Sequence, residues 1–248
     1  MYRGFARLYA DGDFPQFSIR IAKFLPAIFE EYHIHPKTIL DLACGEGSFV
    51  VAMAKQGFQV TGVDQSPDMI AFAREKAQSE RLPIPLFEMD IRKLALDTSF
   101  DVITCWFDSL NYLLTLDDLE TAFVKTAQHL NPDGFFFFDM NTLHWLTTLA
   151  ERYPVTLERE TEDVFQVHRH SFDKDTHIAT FEITGFIKDS DCWKRHVDET
   201  HHERGYTLDE IRACLRKAEL TELACYGELE ERLLYTSSSK RVWFITKK

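Results

Sequence analysis

Thr38-Ile39-Leu40-Asp41-Leu42-Ala43-Cys44-Gly45-Glu46-Gly47 decides how this chain is read. Its first half is an apolar strand that ends on an acidic residue. Its second half is a glycine turn that opens a helix at Ser48. Gly45 and Gly47 let backbone N–H groups come close to a ligand, and the helix N-terminus points at the same spot. A second run, Phe58-Gln59-Val60-Thr61-Gly62-Val63, ends in Asp64, seventeen positions after Gly47. A carboxylate at that neighbouring strand tip is where a ribose would sit. The segment is a nucleoside-binding strand–loop–helix–strand unit.

Charge selects the nucleoside. A dinucleotide fingerprint needs a third glycine where this chain has Val50. Glu46, inside the loop, would repel a pyrophosphate held on the helix N-terminus. Asp41 adds another carboxylate at the first strand's end. A cationic ligand with a ribose and no phosphate suits this wall, and S-adenosylmethionine has that character.

These residues resemble a class I S-adenosylmethionine-dependent methyltransferase, and further segments match that superfamily in order. Asp64-Gln65-Ser66-Pro67-Asp68-Met69-Ile70 resembles its ribose-binding strand end and following helix start. Phe87-Glu88-Met89-Asp90 resembles the third strand, whose terminal Asp meets the adenine amino group. Phe100-Asp101-Val102-Ile103-Thr104-Cys105 resembles the fourth strand, and Leu130-Asn131-Pro132-Asp133-Gly134-Phe135 the turn into the fifth. Asp108-Ser109-Leu110-Asn111-Tyr112 and Phe138-Asp139-Met140-Asn141-Thr142 resemble a bacterial small-molecule branch that carries an inserted antiparallel sheet. The resemblance covers nearly the whole chain. Its cofactor motifs are specific and its substrate motifs are not. Glu46 departs from the pattern, which commonly has Thr or Ser there. The resemblance implies S-adenosylmethionine as cofactor, S-adenosylhomocysteine as product, and cofactor contacts at Tyr9, Asp41, Ala43, Cys44, Gly45, Gly47, Asp64, Gln65, Met69, Met89, Asp90, Ile91 and Cys105. It also implies an N-terminal aromatic segment, holding Tyr2 and Tyr9, folded over the cofactor.

From Lys37 to Met140 strands and helices alternate, which gives a doubly wound, Rossmann-like, mostly parallel sheet, here expected to have seven strands. Glu162 to Arg204 instead alternates with period two, with turn clusters at Asp173-Lys174-Asp175 and Asp189-Ser190-Asp191. The expected division is a cofactor-binding core over residues 1–149 and 206–248, with an antiparallel β lid over 150–205. Thr207 and Glu210 form a capping box for a helix that follows the lid.

The composition bounds the function. A net charge of −12 argues against nucleic-acid binding. No apolar run reaches membrane-spanning length and the N-terminus lacks a signal-peptide pattern, so no membrane partner is expected. Five cysteines without metal spacing read as reduced thiols of a cytoplasmic protein. Cys44 and Cys105 read as small apolar liners near the pocket. No His/Asp/Glu set has metal-ligand spacing, so no metal is expected. The chain is expected to act as a monomer or homodimer.

Methyl transfer from a sulfonium is a displacement on carbon, so the protein supplies proximity and, for a weakly acidic nucleophile, a proton acceptor. The candidates are Asp108 and Asn111 after the fourth strand, Asp139, Asn141 and His144 after the fifth, and His201 on the lid. Each also has a structural reading. Asp108 is equally suited to capping, Asn111 and Asn141 to satisfying loop backbone, and His144 to packing beside Trp145. His168 and His170 share one face of a lid strand, and surface exposure is the expectation for them. The leading function is methylation of an N or O atom of a small molecule. A macromolecular acceptor and a cofactor-binding module without catalysis are the alternatives, and Val50 and Glu46 disfavour a dinucleotide-dependent oxidoreductase.

Overall fold

The computed structural model describes residues 5–190 and 192–248; Tyr2 and Asp191 lie outside the described residues. Helices α1 (Phe5–Ala10) and α2 (Pro15–Glu31) precede an alternating series. That series is β1 (Thr38–Leu42), α3 (Ser48–Lys55), β2 (Gln59–Asp64), α4 (Pro67–Ser79), β3 (Leu86–Glu88), β4 (Phe100–Cys105), α5 (Leu116–His129) and β5 (Leu130–Asn141). After α6 (Leu143–Arg152) come β6 (Val155–Glu160), β7 (Val164–Asp173), β8 (Ile178–Asp189) and β9 (Cys192–Arg204). Helix α7 (Leu208–Lys217) and strands β10 (Thr221–Glu228), β11 (Leu233–Leu234) and β12 (Arg241–Lys247) complete the chain.

The large sheet has the order β3-β2-β1-β4-β5-β12-β10-β11. Strands β1 to β5 are parallel, and β12 returns antiparallel between β5 and β10. The order reverses between β1 and β4, so a crevice opens beyond their carboxyl ends. Four consecutive phenylalanines in β5 show the pleat. Phe136 and Phe138 join the cluster under α5 and α7, while Phe137 joins the opposite cluster under α2 and α3. Burying each such ring contributes about 1.5–3 kcal/mol.

Local signals set the helix starts. Ser66 accepts a hydrogen bond from the Met69 N–H, with Pro67 in the first turn of α4. Thr207 and Glu210 form the expected capping box on α7.

Three details differ from the sequence reading. An eighth strand, the two-residue β11, pairs with Tyr226 and Glu228 and is too short to leave a periodic signature. Asn131-Pro132-Asp133-Gly134 does not separate helix from strand; it bulges out of β5, whose register on β4 jumps from Phe100↔Leu130 to Val102↔Phe135. Asp133 makes that bulge with φ 62°. Helix α6 runs across the expected boundary at residue 149.

Strands β6 to β9 form a separate antiparallel sheet in sequence order. Phe5 and Leu8 of α1 pack on Ile183 and Val197 of this sheet, forming a third apolar cluster. The N-terminal helix and the second sheet therefore enclose the same space beyond the carboxyl edge of the large sheet. Among the described residues no helix is long and apolar enough to cross a membrane.

Gly47 joins sheet to helix layer. It has φ 86°, and a Cβ there would lie 2.8 Å from the Cβ of Ala73 on α4. Left-handed strain and overpacking together predict that Gly47→Ala loses about 2–4 kcal/mol of stability, read by urea denaturation. A loss below about 1 kcal/mol would show that α4 moves aside freely.

Candidate functional site

The β1–α3 loop turns on left-handed residues at Ala43 (φ 53°), Gly45 (φ 55°) and Gly47. Asp64, at the tip of β2, fastens that loop: its oxygens accept the Gly45 N–H at 2.9 Å and the Ser66 N–H at 2.8 Å. Burial raises the Asp64 pKa against the pull of those two donors. Asp41, at β1, accepts the Thr104 hydroxyl at 2.6 Å. Burial pushes its pKa up to about 8, and the Asp64 charge adds to the rise.

Glu46 behaves differently from the sequence expectation. It turns inward, accepts the N–H and hydroxyl of Ser48 at 3.1 Å each, and pairs with Lys76. Its charge is matched inside the protein, so Asp41 and Asp64 carry the acidity of the loop.

A cleft lies beside this loop. Its walls are Asp41, Ala43, Cys44, Gly45, Glu46, Asp64, Gln65 and Met69 on one side. Tyr9, Ser18, Trp106, Phe107, Ser109 and Tyr112 form the other. It continues past Ala43, Gln65 and Tyr112 to Met89, Asp90, Ile91 and Arg92. Asp90 is clamped by Arg92, whose Nε and Nη2 donate to its two oxygens at 3.0 and 2.6 Å. That guanidinium holds the Asp90 carboxyl below the usual range.

Through Tyr9, Phe107 and Tyr112 the first cleft meets a second, between the two sheets. Phe5, Phe14, Trp145, Phe181 and Ile183 supply apolar wall, and Asp108, Asn141, Glu158, His168, His170, His201, Glu203 and Arg241 supply polar groups. Arg241 opens β12 and bridges two carboxylates, Asp108 at 2.8 Å and the fully buried Asp139. Asp139 also accepts the N–H groups of Phe107 at 2.7 Å and Asp108 at 3.2 Å. Glu203 accepts the Asn141 Nδ2 at 2.8 Å, and burial pushes its carboxyl well up, the nearby Asp108 charge adding to the rise. His201 lies 3.1 Å from the Tyr112 hydroxyl through Nδ1 and 3.1 Å from Glu199 through Nε2. Burial lowers its pKa against the opposing pull of Glu199.

Eleven of the expected cofactor residues line the first cleft or its extension. Gly47 and Cys105 do not: Gly47 is taken up by packing on Ala73, and Cys105 is fully buried in the core. Of the catalytic candidates, Asp108, Asn141 and His201 line the second cleft. Asp139 lies beneath it under Arg241. Asn111 is fully buried, donating to the carbonyls of Asn141 and Arg204 at 3.1 and 2.8 Å. His144 is exposed on α6 and lines neither cleft, because its helix buries the Leu146 side instead. The expected exposure of His168 and His170 is also corrected: they line the cleft, His168 buried. Sequence reasoning missed Glu203 and Arg241. Glu203 shares the period-two face of His201, a usable signal, whereas nothing local marks Arg241.

Comparison with known proteins places this geometry. Residues 39–134 match a family model described as a methyltransferase domain. The chain is 32% identical over 213 residues to a Geobacillus sp. (strain WCH70) protein named as a methyltransferase, covering 86% of this chain and 85% of that one. It is 31% identical over 217 residues to the dTDP-3-amino-3,6-dideoxy-alpha-D-glucopyranose N,N-dimethyltransferase of Streptomyces fradiae, covering 88% and 83%. The crystal structure of an S-adenosylmethionine-dependent methyltransferase from Clostridium acetobutylicum ATCC 824 superposes with a TM-score of 0.83 at 28% identity, covering 98% and 97%.

Asp41 makes the loop's electrostatics measurable. With its folded pKa near 8, above the unfolded carboxylate value, the stability it allows is complete below about pH 4 and lost as pH rises through about 8. Asp41→Asn removes that titration. Its stability relative to wild type should therefore rise by about 3–4 kcal/mol between pH 5 and pH 8, read by denaturation at both pH values. A pH-independent difference would mean that the carboxylate is charged throughout.

Proposed function

The chain belongs to the S-adenosylmethionine-dependent methyltransferases, and we propose that it methylates an N or O atom of a small-molecule acceptor held between the two sheets. The observation that carries this reading is the junction at Tyr9, Phe107 and Tyr112, where the cleft beside the β1–α3 loop opens into one lined by aromatic and ionisable groups. The amino-sugar methyltransferase relative from Streptomyces fradiae supports a small acceptor. The net charge of −12 supports it over a nucleic acid. Three buried free thiols suit a cytoplasmic protein.

The donor chemistry of the first cleft fits the cofactor. Asp64, already oriented by two backbone N–H groups, would hold the ribose hydroxyls. Asp41 is held protonated by burial, and a neighbouring positive charge would favour its ionised form. Met89, Asp90 and Ile91 would border the adenine. When bound, S-adenosylmethionine supplies an electrophilic methyl on a sulfonium.

The chain's own residues then position the acceptor and take its proton. The β lid, residues 150–205, would set acceptor choice, because its strands supply His168, His170, Phe181, His201 and Glu203 to the second cleft. Phe107 and Tyr112 would present the acceptor to the first cleft. His201, with Nε2 towards Glu199, has Nδ1 towards the Tyr112 hydroxyl and would accept a proton through it. Burial keeps the imidazole neutral near pH 7, the state a base requires.

Two measurements test this reading. By calorimetry, Asp64→Ala should weaken S-adenosylmethionine binding at least tenfold, since a charge-assisted contact is worth about 1.5–3 kcal/mol; unchanged affinity would remove the ribose assignment. In methyl-donor consumption across amine, phenol and carboxylate panels, His201→Ala should lower kcat by about 10²–10⁴-fold. His144→Ala should stay near wild type. The reverse ordering would overturn the proton-acceptor assignment.

A further inference from the structure

We propose that the inner face of the lid sheet carries a site for one divalent metal ion of the zinc, cobalt or nickel class, formed by Glu158, His168 and His170. One ligand atom from each of the three lies within 4.8 Å of the others. His168 and His170 are two positions apart on β7, so their rings stand on one face. Glu158 comes from β6 where the ladder register slips between Leu157 and Arg159. A bulge of that kind re-aims a side chain, here onto the histidines.

Each of the three has an outer partner. His170 Nδ1 lies 2.7 Å from the carbonyl oxygen of Tyr153. A carbonyl only accepts, so Nδ1 holds the proton and Nε2 presents a lone pair. His168 Nε2 lies 2.7 Å from the side-chain amide nitrogen of Gln166, whose Oε1 is buried without a partner. For His168 Nδ1 to ligate, the amide's O and N are exchanged so that Oε1 accepts an Nε2–H, and the amide NH2 takes the position of the partnerless oxygen. Gln166 is fully buried, so this amide has no solvent to satisfy it. The Glu158 carboxylate accepts the hydroxyl of Thr156, which pairs across the ladder with His168. Carbonyl, amide and hydroxyl partners of this kind orient metal ligands and raise their basicity.

Two imidazoles and one carboxylate make a borderline donor set that leaves coordination positions open. The open positions face the second cleft, where an oxygen of a bound small molecule or of water would complete the shell.

The test is calorimetric titration of the full chain with Zn²⁺, alongside S-adenosylmethionine titration of the same samples. The exposed thiol of Cys192 is removed by Cys192→Ser in every sample. One Zn²⁺ should bind per chain, and Co²⁺ should give visible d–d absorption. Removing an outer partner of a metal ligand costs about 10–100-fold in affinity, so Gln166→Ala should weaken Zn²⁺ by that factor. His170→Ala and Glu158→Gln should weaken it at least as much, while His202→Ala, on the outer side of β9, should match wild type. Unchanged Zn²⁺ affinity in both His170→Ala and Glu158→Gln, or no saturable binding below millimolar metal, overturns the site. Because the cofactor titration is read separately, intact S-adenosylmethionine binding without Zn²⁺ binding counts against the metal site alone.

Discussion

The bridge from Arg241 to Asp139 and Asp108 organises the second cleft of this molecule. Asp139 is fully buried at the end of β5 and would be an unpaired internal charge without the guanidinium. Removing one partner of such a pair typically costs about 3–5 kcal/mol. The same carboxylate accepts the N–H groups of Phe107 and Asp108, two successive residues at φ 59° and 54°. Non-glycine residues in that region persist only when their surroundings hold them. The bridge thus fixes the backbone after β4, and with it the positions of Phe107 and Tyr112 at the junction of the two clefts.

A second constraint is the burial of polar groups under the lid. His168, His201, Gln166 and Glu203 are all buried on strands β7 and β9. Each would weaken the fold if its hydrogen bonds were unmet. Most are met by one another or by the core: Tyr112 and Glu199 on His201, Asn141 on Glu203. The Gln166 Oε1 is an exception. A lid built only to cover the core would place apolar residues there. The polar inner face is in keeping with the acceptor site proposed above, and Phe5 and Leu8 pack on Ile183 and Val197 of the same sheet.

The cofactor half and the acceptor half differ in how they are encoded. Asp41, Gly45 and Asp64 lie within one strand–loop–helix–strand unit, so their spacing and order along the chain already place them together. The structure adds what spacing could not: Glu46 satisfies the helix α3 start and Lys76, leaving Asp41 as the buried acid of the loop. Polar and aromatic residues of the second cleft come from the segment after β4 and from β5, β6, β7, β8, β9 and β12, brought together by the closing of the two sheets.

The amino-acid order by itself determined the alternating α/β core, the cofactor loop, the capped helix starts and an antiparallel insertion, because each rests on local periodicity or a fixed local spacing. Within the insertion it also determined that His168 and His170 share a face and that His201 and His202 do not. Tertiary structure alone decided which face is wet. The lid folds back so that His168 and His170 look inward, and the apolar side of α6 turns His144 out to solvent. It alone brought Arg241 onto Asp139, 102 residues away in sequence, and set Glu158 beside two histidines on a neighbouring strand. Contacts between strands far apart in sequence have no local periodicity to announce them, and their geometry is fixed only when the sheets close.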